Sequence, residues 1–131
     1  MAPRIHPETG ERLSRDTRPM VVRVGPFTEE VLVPGWYPEG AGDAVHTGAD
    51  LAVFEETRKR LMMQYAAYLR ASRKRWRLTQ EQAGKLIGGG KRAFQKYETG
   101  KALPTEAAVG LIELLNADER NLERLRRIRA A

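Results

Sequence analysis

The sequence contains no cysteine. That excludes disulfides, thiolate metal sites and cysteine nucleophiles together. It has two histidines, His6 and His46, both in stretches punctuated by Gly and Pro. A hydrolase needs a nucleophile–base pair or a metal set, and two isolated loop histidines supply neither, so an enzyme is not expected. Long apolar runs are missing as well. Those present, such as Val31-Leu32-Val33 and Leu61-Met62-Met63, are far too short to span a bilayer. The opening MAPRIHPETGERL has no apolar centre and no cleavage-like site, so no secretory leader is expected. Together these absences point to a cytoplasmic protein with no membrane partner.

What is present suits one ordinary domain or two very small ones: 131 residues, 41% hydrophobic and 31% charged. The net charge of +6 is unevenly spread. Residues 1–50 carry 5 Lys/Arg against 8 Asp/Glu, and residues 51–131 carry 18 against 9. A mildly acidic front joined to a basic back suggests two modules with different partners. The basic half suits a polyanion, of which nucleic acid is the commonest, or else presents a solvated basic surface.

Residues 1–50 contain HPETG, VGPF, VPGWYPEGAGD and HTGAD, which hold ten Gly and Pro between them. Two strands are expected, Arg18–Val24 and Phe27–Trp36. Met20, Val22 and Val24 alternate with Val21 and Arg23, and Gly25-Pro26 supplies the turn. This is a small β-hairpin module whose core looks thin for independent stability. Asp50 is the expected cap of a following helix. LAVFEETRKRLMMQYAAYLRASRKRW has no Gly or Pro, and Phe54, Leu61, Tyr65, Leu69 and Trp76 fall at helical spacings. It forms one long helix, or two with a break near Arg70–Arg73. Thr79 begins a capping box, TQEQ, in which Gln82 reaches back to the cap. That helix runs to about Ile87, another spans about Lys91–Glu98 and ends at Gly100, a third follows Pro104-Thr105, and a last carries Leu122, Leu125 and Ile128. The fold class is therefore α+β: a β module over 1–50, joined by a long helix to an all-α five-helix domain over 51–131.

Two short helices around a tight turn, the second basic, form a helix-turn-helix pattern. Ala83-Gly84 leaves room for the crossing, Gly88 tolerates positive φ, and Ala93, Phe94 and Tyr97 make an inward stripe. Lys91, Arg92, Gln95 and Lys96 then face outward with side chains long enough to reach base edges or phosphates. Glu98 is expected to pair internally with Arg70 or Arg73. The three glycines are no nucleotide loop, since they follow a helix and Lys91 is followed by Arg92 rather than Ser or Thr.

LTQEQAGKLIGGGKRAFQKYETG (Leu78–Gly100) resembles the helix-turn-helix of the XRE/Cro-like repressors, which opens Leu-Thr-Gln-Glu and closes with an aromatic, Glu, any residue and Gly. The Gly-Gly-Gly before AFQKYETG is similar, more narrowly, to the MqsA-type antitoxins of bacterial toxin–antitoxin pairs. That resemblance extends through KALPTEAAVGLIELLN and touches HPETGE and VPGWYPEGAGDAVHTGAD in the front half. It implies an N-terminal zinc module with two Cys-x-x-Cys pairs. Here His6 and Thr9 stand at the first pair and Pro38 and Ala41 at the second. One candidate ligand of four cannot hold structural zinc, so the module is expected to keep the fold's outline and to bind no metal or other cofactor. Strand pairing and the Trp36-Tyr37 pair would hold it instead, with both histidines as polar loop residues.

The resemblance further implies base contacts from Arg92 and Lys96, with Lys91 and Gln95 beside them on bases or phosphates. Arg92 suits the O6 and N7 of guanine. Thr79 and Gln80, at a helix N-terminus, and Gly90, as the cap of the recognition helix, are placed to hold phosphates. The implied function is an antitoxin that binds a cognate toxin, a ribonuclease in such pairs, and represses its own operon as a homodimer on a palindromic double-stranded operator. Leu111–Leu115 and Leu122–Ile128 complete the domain or form the dimer seam. The alternative is a stand-alone helix-turn-helix repressor with no toxin.

Overall fold

The computed structural model describes residues 2–130. The fold is α+β, a three-stranded sheet followed by five helices: β1 Arg4–Ile5, β2 Arg12–Val24, β3 Phe27–Pro38, α1 Ala52–Arg75, α2 Gln80–Ile87, α3 Ala93–Glu98, α4 Glu106–Ala117 and α5 Arg120–Ala130. The chain divides into two compact units. One comprises Met1–Arg23 with Thr28–Lys59, the other Val24–Phe27 with Arg60–Ala131.

In the first unit the strand order is β1-β2-β3. β1 runs antiparallel to β2, with Arg4 opposite Leu13 and Ile5 opposite Arg12. The strands are longer than the expected hairpin, and β1 is additional to it. Pro19 lies within β2, which is tolerated because β1 covers only the Arg12–Leu13 end and leaves β2 a free edge beyond it. The alternation holds where the hairpin is most apolar. Val22 and Val33 are fully buried, while Val21 and Leu32 face outward. Trp36 and Tyr37 are buried, and Trp36 exchanges two 2.9 Å backbone hydrogen bonds with Val45.

The cap before α1 differs from expectation. Asp50 is not the cap residue but the far member of a capping box begun at Thr47. The Asp50 N–H donates to the Thr47 hydroxyl (3.1 Å), and the Thr47 N–H donates to the Asp50 carboxylate (2.9 Å). Thr-Gly-Ala-Asp is itself a capping-box sequence, and its reciprocal bonds satisfy two donors where Asp50 alone would satisfy one. The second Asp50 oxygen is met by Arg15 from β2 at 2.5 Å.

α1 is one unbroken helix, of which residues 60–75 belong to the second unit. Leu61, Tyr65 and Leu69 form its buried stripe, and Trp76, just past its end, is buried too. Phe27 meets the rings of Tyr65 and Tyr68 edge-on at 5.6 and 5.4 Å. A polar cluster ties α1 to α4. The Tyr68 hydroxyl donates to Glu113 (2.7 Å), and the Asn116 amide donates to Tyr68 (2.8 Å) and Ser72 (2.9 Å). Thr105 caps α4 through the Ala108 N–H. Ile112 and Leu115 of α4 and Leu125 of α5 complete the core, whereas Ile128 is 65% exposed.

Candidate nucleic-acid interface

α2 begins at the capping box its sequence announces. The Gln82 N–H donates to the Thr79 hydroxyl (3.1 Å), and the Thr79 N–H to the Gln82 side chain (2.9 Å). Thr79 is exposed and Gln80 half-buried. The Thr79 oxygen is used as an acceptor, so its O–H remains able to donate. Ala83, Leu86 and Ile87 face the core.

The turn after α2 is set by close approach. A Cβ on Gly84 would lie 2.0 Å from the Gly90 carbonyl oxygen, so only glycine admits the returning chain. Gly88, Gly89 and Gly90 all hold positive φ, at 125°, 88° and 92°. Gly90 does not cap the recognition helix. Its carbonyl accepts the Ala93 N–H at 3.2 Å, which makes a turn through Lys91 and Arg92 and delays the helix to Ala93. Lys91 and Arg92 therefore precede α3 instead of lying on its first turn, and Arg92 occupies the cap position with no side-chain capping bond.

α3 has only six residues, too few to hold itself together, so its place depends on packing. Phe94 is fully buried, and Tyr97 meets it at 5.4 Å between ring centroids. Burial pushes the Tyr97 phenol up. Glu98, at the end of α3, turns inward to a two-pronged bond with Arg73 of α1, at 2.8 and 2.9 Å. Of the two arginines considered from sequence, Arg73 is the partner. The Glu98 hydrogen bond raises its guanidinium further above the ordinary range. Arg73 also donates to the Leu78 carbonyl at 3.0 Å, which fixes the entry to α2.

The outward side of this frame is basic. Lys91, Arg92, Gln95 and Lys96 are all exposed. Arg92, Gln95 and Lys96 line a hollow of about 180 Å³ together with Thr99 and Lys101, and Lys91 lies outside it. Lys101 was not foreseen from the sequence. The chain folds back after Gly100 so that the Lys101 N–H donates to the Lys96 carbonyl (2.9 Å), and the Gly100 stop signal could have suggested it. Among the described residues no carboxylate pairs with Lys91, Arg92, Lys96 or Lys101. Other cations of this unit do carry carboxylate partners, Lys85 with Glu81 at 3.2 Å and Arg120 with Asp118 at 2.8 Å. The hollow can therefore offer guanidinium, ammonium and amide donors to a polyanion without first breaking an ion pair, whereas the Thr99 O–H is engaged by the Gln95 carbonyl at 2.9 Å. No described helix is long and apolar enough to cross a membrane.

Residues 35–129 match the family described as the antitoxin component of bacterial toxin–antitoxin systems, MqsA. Over 54 residues the chain is 37% identical to the Antitoxin MqsA of Escherichia coli (strain K12). That match spans 41% of this chain and 41% of the relative, about two fifths of each.

Proposed function

The chain belongs to the MqsA antitoxin family, and we propose that its helical unit binds operator DNA as a homodimer while the chain also sequesters a cognate toxin. The observation that carries the DNA reading is the basic hollow of Arg92, Gln95, Lys96, Thr99 and Lys101, without carboxylate partners, built on α3 and its two flanks, with the helix anchored from behind by Glu98 and Arg73. Arg92 and Lys96 read base edges, with Arg92 matched to guanine. Lys91, Gln95, Thr79, Gln80 and the Gly90 backbone contact bases or phosphates at the groove edge. One six-residue helix reads only a few base pairs, so two copies on half-sites roughly 34 Å apart supply the affinity. Leu114 and Ile128 are among the exposed apolar side chains of the helical unit, with Met63 and Leu103, and are available to such a pairing. The protein acts by binding, not catalysis, in the cytoplasm.

Fluorescence anisotropy of the purified protein on its own promoter fragment tests the DNA reading. Binding at least about a hundredfold tighter to promoter than to random duplex is expected at physiological salt. Equal affinity for both would overturn sequence-specific repression. Co-purification from the native host tests the toxin. A stoichiometric small protein is expected, and its absence alongside promoter binding would make the chain a stand-alone repressor.

A further inference from the structure

The loops at His6–Thr9 and Pro38–Ala41 stand where the family resemblance places two pairs of zinc ligands, yet the groups present are already committed otherwise. His6 is 7% exposed. Its Nδ1 accepts the N–H groups of Glu8 (3.0 Å) and Thr9 (3.3 Å), while its backbone closes the same loop through Gly10 N–H to His6 O and His6 N–H to Glu11 O. An Nδ1 that accepts two donors carries no proton, so the proton of the neutral ring sits on Nε2. A metal at Nδ1 would displace both N–H groups. A metal at Nε2 would force the proton onto Nδ1, against those same donors. Neither nitrogen is free to ligate.

The second loop is closed by an arginine. Arg18 of β2 donates to the carbonyls of Pro38 (2.7 Å) and Gly40 (3.3 Å) and lies over the Tyr37 ring, 4.7 Å from its centroid. The Tyr37 hydroxyl donates to the Val33 carbonyl at 2.6 Å. His46 is engaged with the Pro34 carbonyl at 2.9 Å through Nδ1, which must therefore be its protonated nitrogen. Among the described residues no three His, Cys, Asp or Glu side chains gather where a metal ion could be held. A charged guanidinium in such a loop also opposes a divalent cation.

We propose that the N-terminal unit folds without a metal, with the His6 imidazole closing the first loop and the Arg18 guanidinium the second in place of metal ligands. Each loop keeps the feature a metal would otherwise enforce, a side chain that fixes its backbone, supplied here by hydrogen bonds alone, from within the first loop by His6 and from β2 onto the second by Arg18. Fold and surface of this unit are then indifferent to chelators and, in a chain without cysteine, to thiol oxidants.

The His6 role makes a prediction that separates acceptor from ligand. The Oδ1 of Asn occupies the same distance along the side chain as the Nδ1 of His, and Asn accepts local N–H groups in turns. With the full-length protein, His6→Ala and Arg18→Ala should each lower the melting temperature by about 3 °C or more. His6→Asn should restore most of the loss. Metal analysis of protein expressed in zinc-supplemented medium should find far less than one zinc per chain, and excess EDTA should leave the melting temperature unchanged. Stoichiometric zinc, a chelator-induced fall, or His6→Asn as damaging as His6→Ala would overturn the proposal. The chelator and metal measurements decide it even if His6→Ala fails to fold.

Discussion

Glu98 and Arg73 form a two-pronged ion pair in which the carboxylate is 4% exposed and the guanidinium 13%. A short basic helix would ordinarily turn its one acid toward solvent. Turning it inward removes the only negative side chain of α3 from the basic face and fastens the helix to α1. Glu98→Ala leaves the Arg73 charge without its partner in a nearly closed site, and removing one member of a buried pair costs about 3–5 kcal/mol. Urea unfolding of Glu98→Ala should show a loss of that order, and promoter affinity should fall with it although Glu98 faces away from the hollow. A loss under about 1 kcal/mol would mean that the pair behaves as a surface bridge.

Two helical glycines should respond to alanine with opposite signs. Intrinsic propensity favours alanine by about 1 kcal/mol inside a helix. At Gly110 of α4 nothing lies within 4 Å of a new Cβ, so Gly110→Ala should stabilise by about 0.5–1 kcal/mol. At Gly84 the new Cβ would meet the Gly90 carbonyl oxygen at 2.0 Å, a clash with backbone rather than with a flexible side chain. Overpacking of this kind costs about 1–3 kcal/mol or more and exceeds the propensity gain, so Gly84→Ala should destabilise and displace the turn that presents Lys91 and Arg92. Chemical denaturation of both variants checks the signs together.

The helical unit was legible because several independent signals agreed there: a capping box at Thr79, small residues at Ala83-Gly84, three glycines able to hold positive φ, and an inward Ala93, Phe94 and Tyr97. Where two local signals competed, the sequence misled. Lys91 and Arg92 are good helix formers, and nothing in their identity reveals that the Gly90 carbonyl takes the Ala93 N–H and delays α3. Asp50 lies nearest the apolar run and so looked like the cap, although the Thr-Gly-Ala-Asp box starts three residues earlier. β1 has two residues, too few for any periodicity. His6 looked like a polar loop residue, because whether an imidazole is buried against its own backbone depends on a loop path that composition does not encode.

The basic hollow yields a test that separates reading from mere attraction. Arg92→Ala should cost about 1–3 kcal/mol on the promoter and relax preference at one base pair, with a smaller effect on random duplex. Lys101→Ala, beyond the end of α3, should weaken binding on all sequences alike and reduce the slope of log affinity against log salt by about 1. Anisotropy titrations on promoter and random DNA at several salt concentrations measure both quantities. Equal losses on the two DNAs for Arg92→Ala would reassign its guanidinium to a phosphate.

Acid should loosen the front unit through Asp50. The hydrogen bond from Arg15, followed by the Thr47 N–H, holds this carboxyl well below its ordinary 3.8 despite the opposing effect of burial. A carboxyl depressed in the folded state contributes stability that is fully present above its unfolded value and is lost as pH falls toward the folded one. The melting temperature should therefore hold steady down to about pH 4 and then decline. Asp50→Asn should melt lower at neutral pH, since the charge that pairs with Arg15 is lost while one amide oxygen remains to accept the Thr47 N–H, and should show a shallower decline below pH 4. Part of the decline should remain, because Asp16 is also depressed by Arg18, and Arg120 holds Asp118 at about 2. Parallel melting curves for the two proteins across this range would show that Asp50 keeps its proton affinity unchanged on folding.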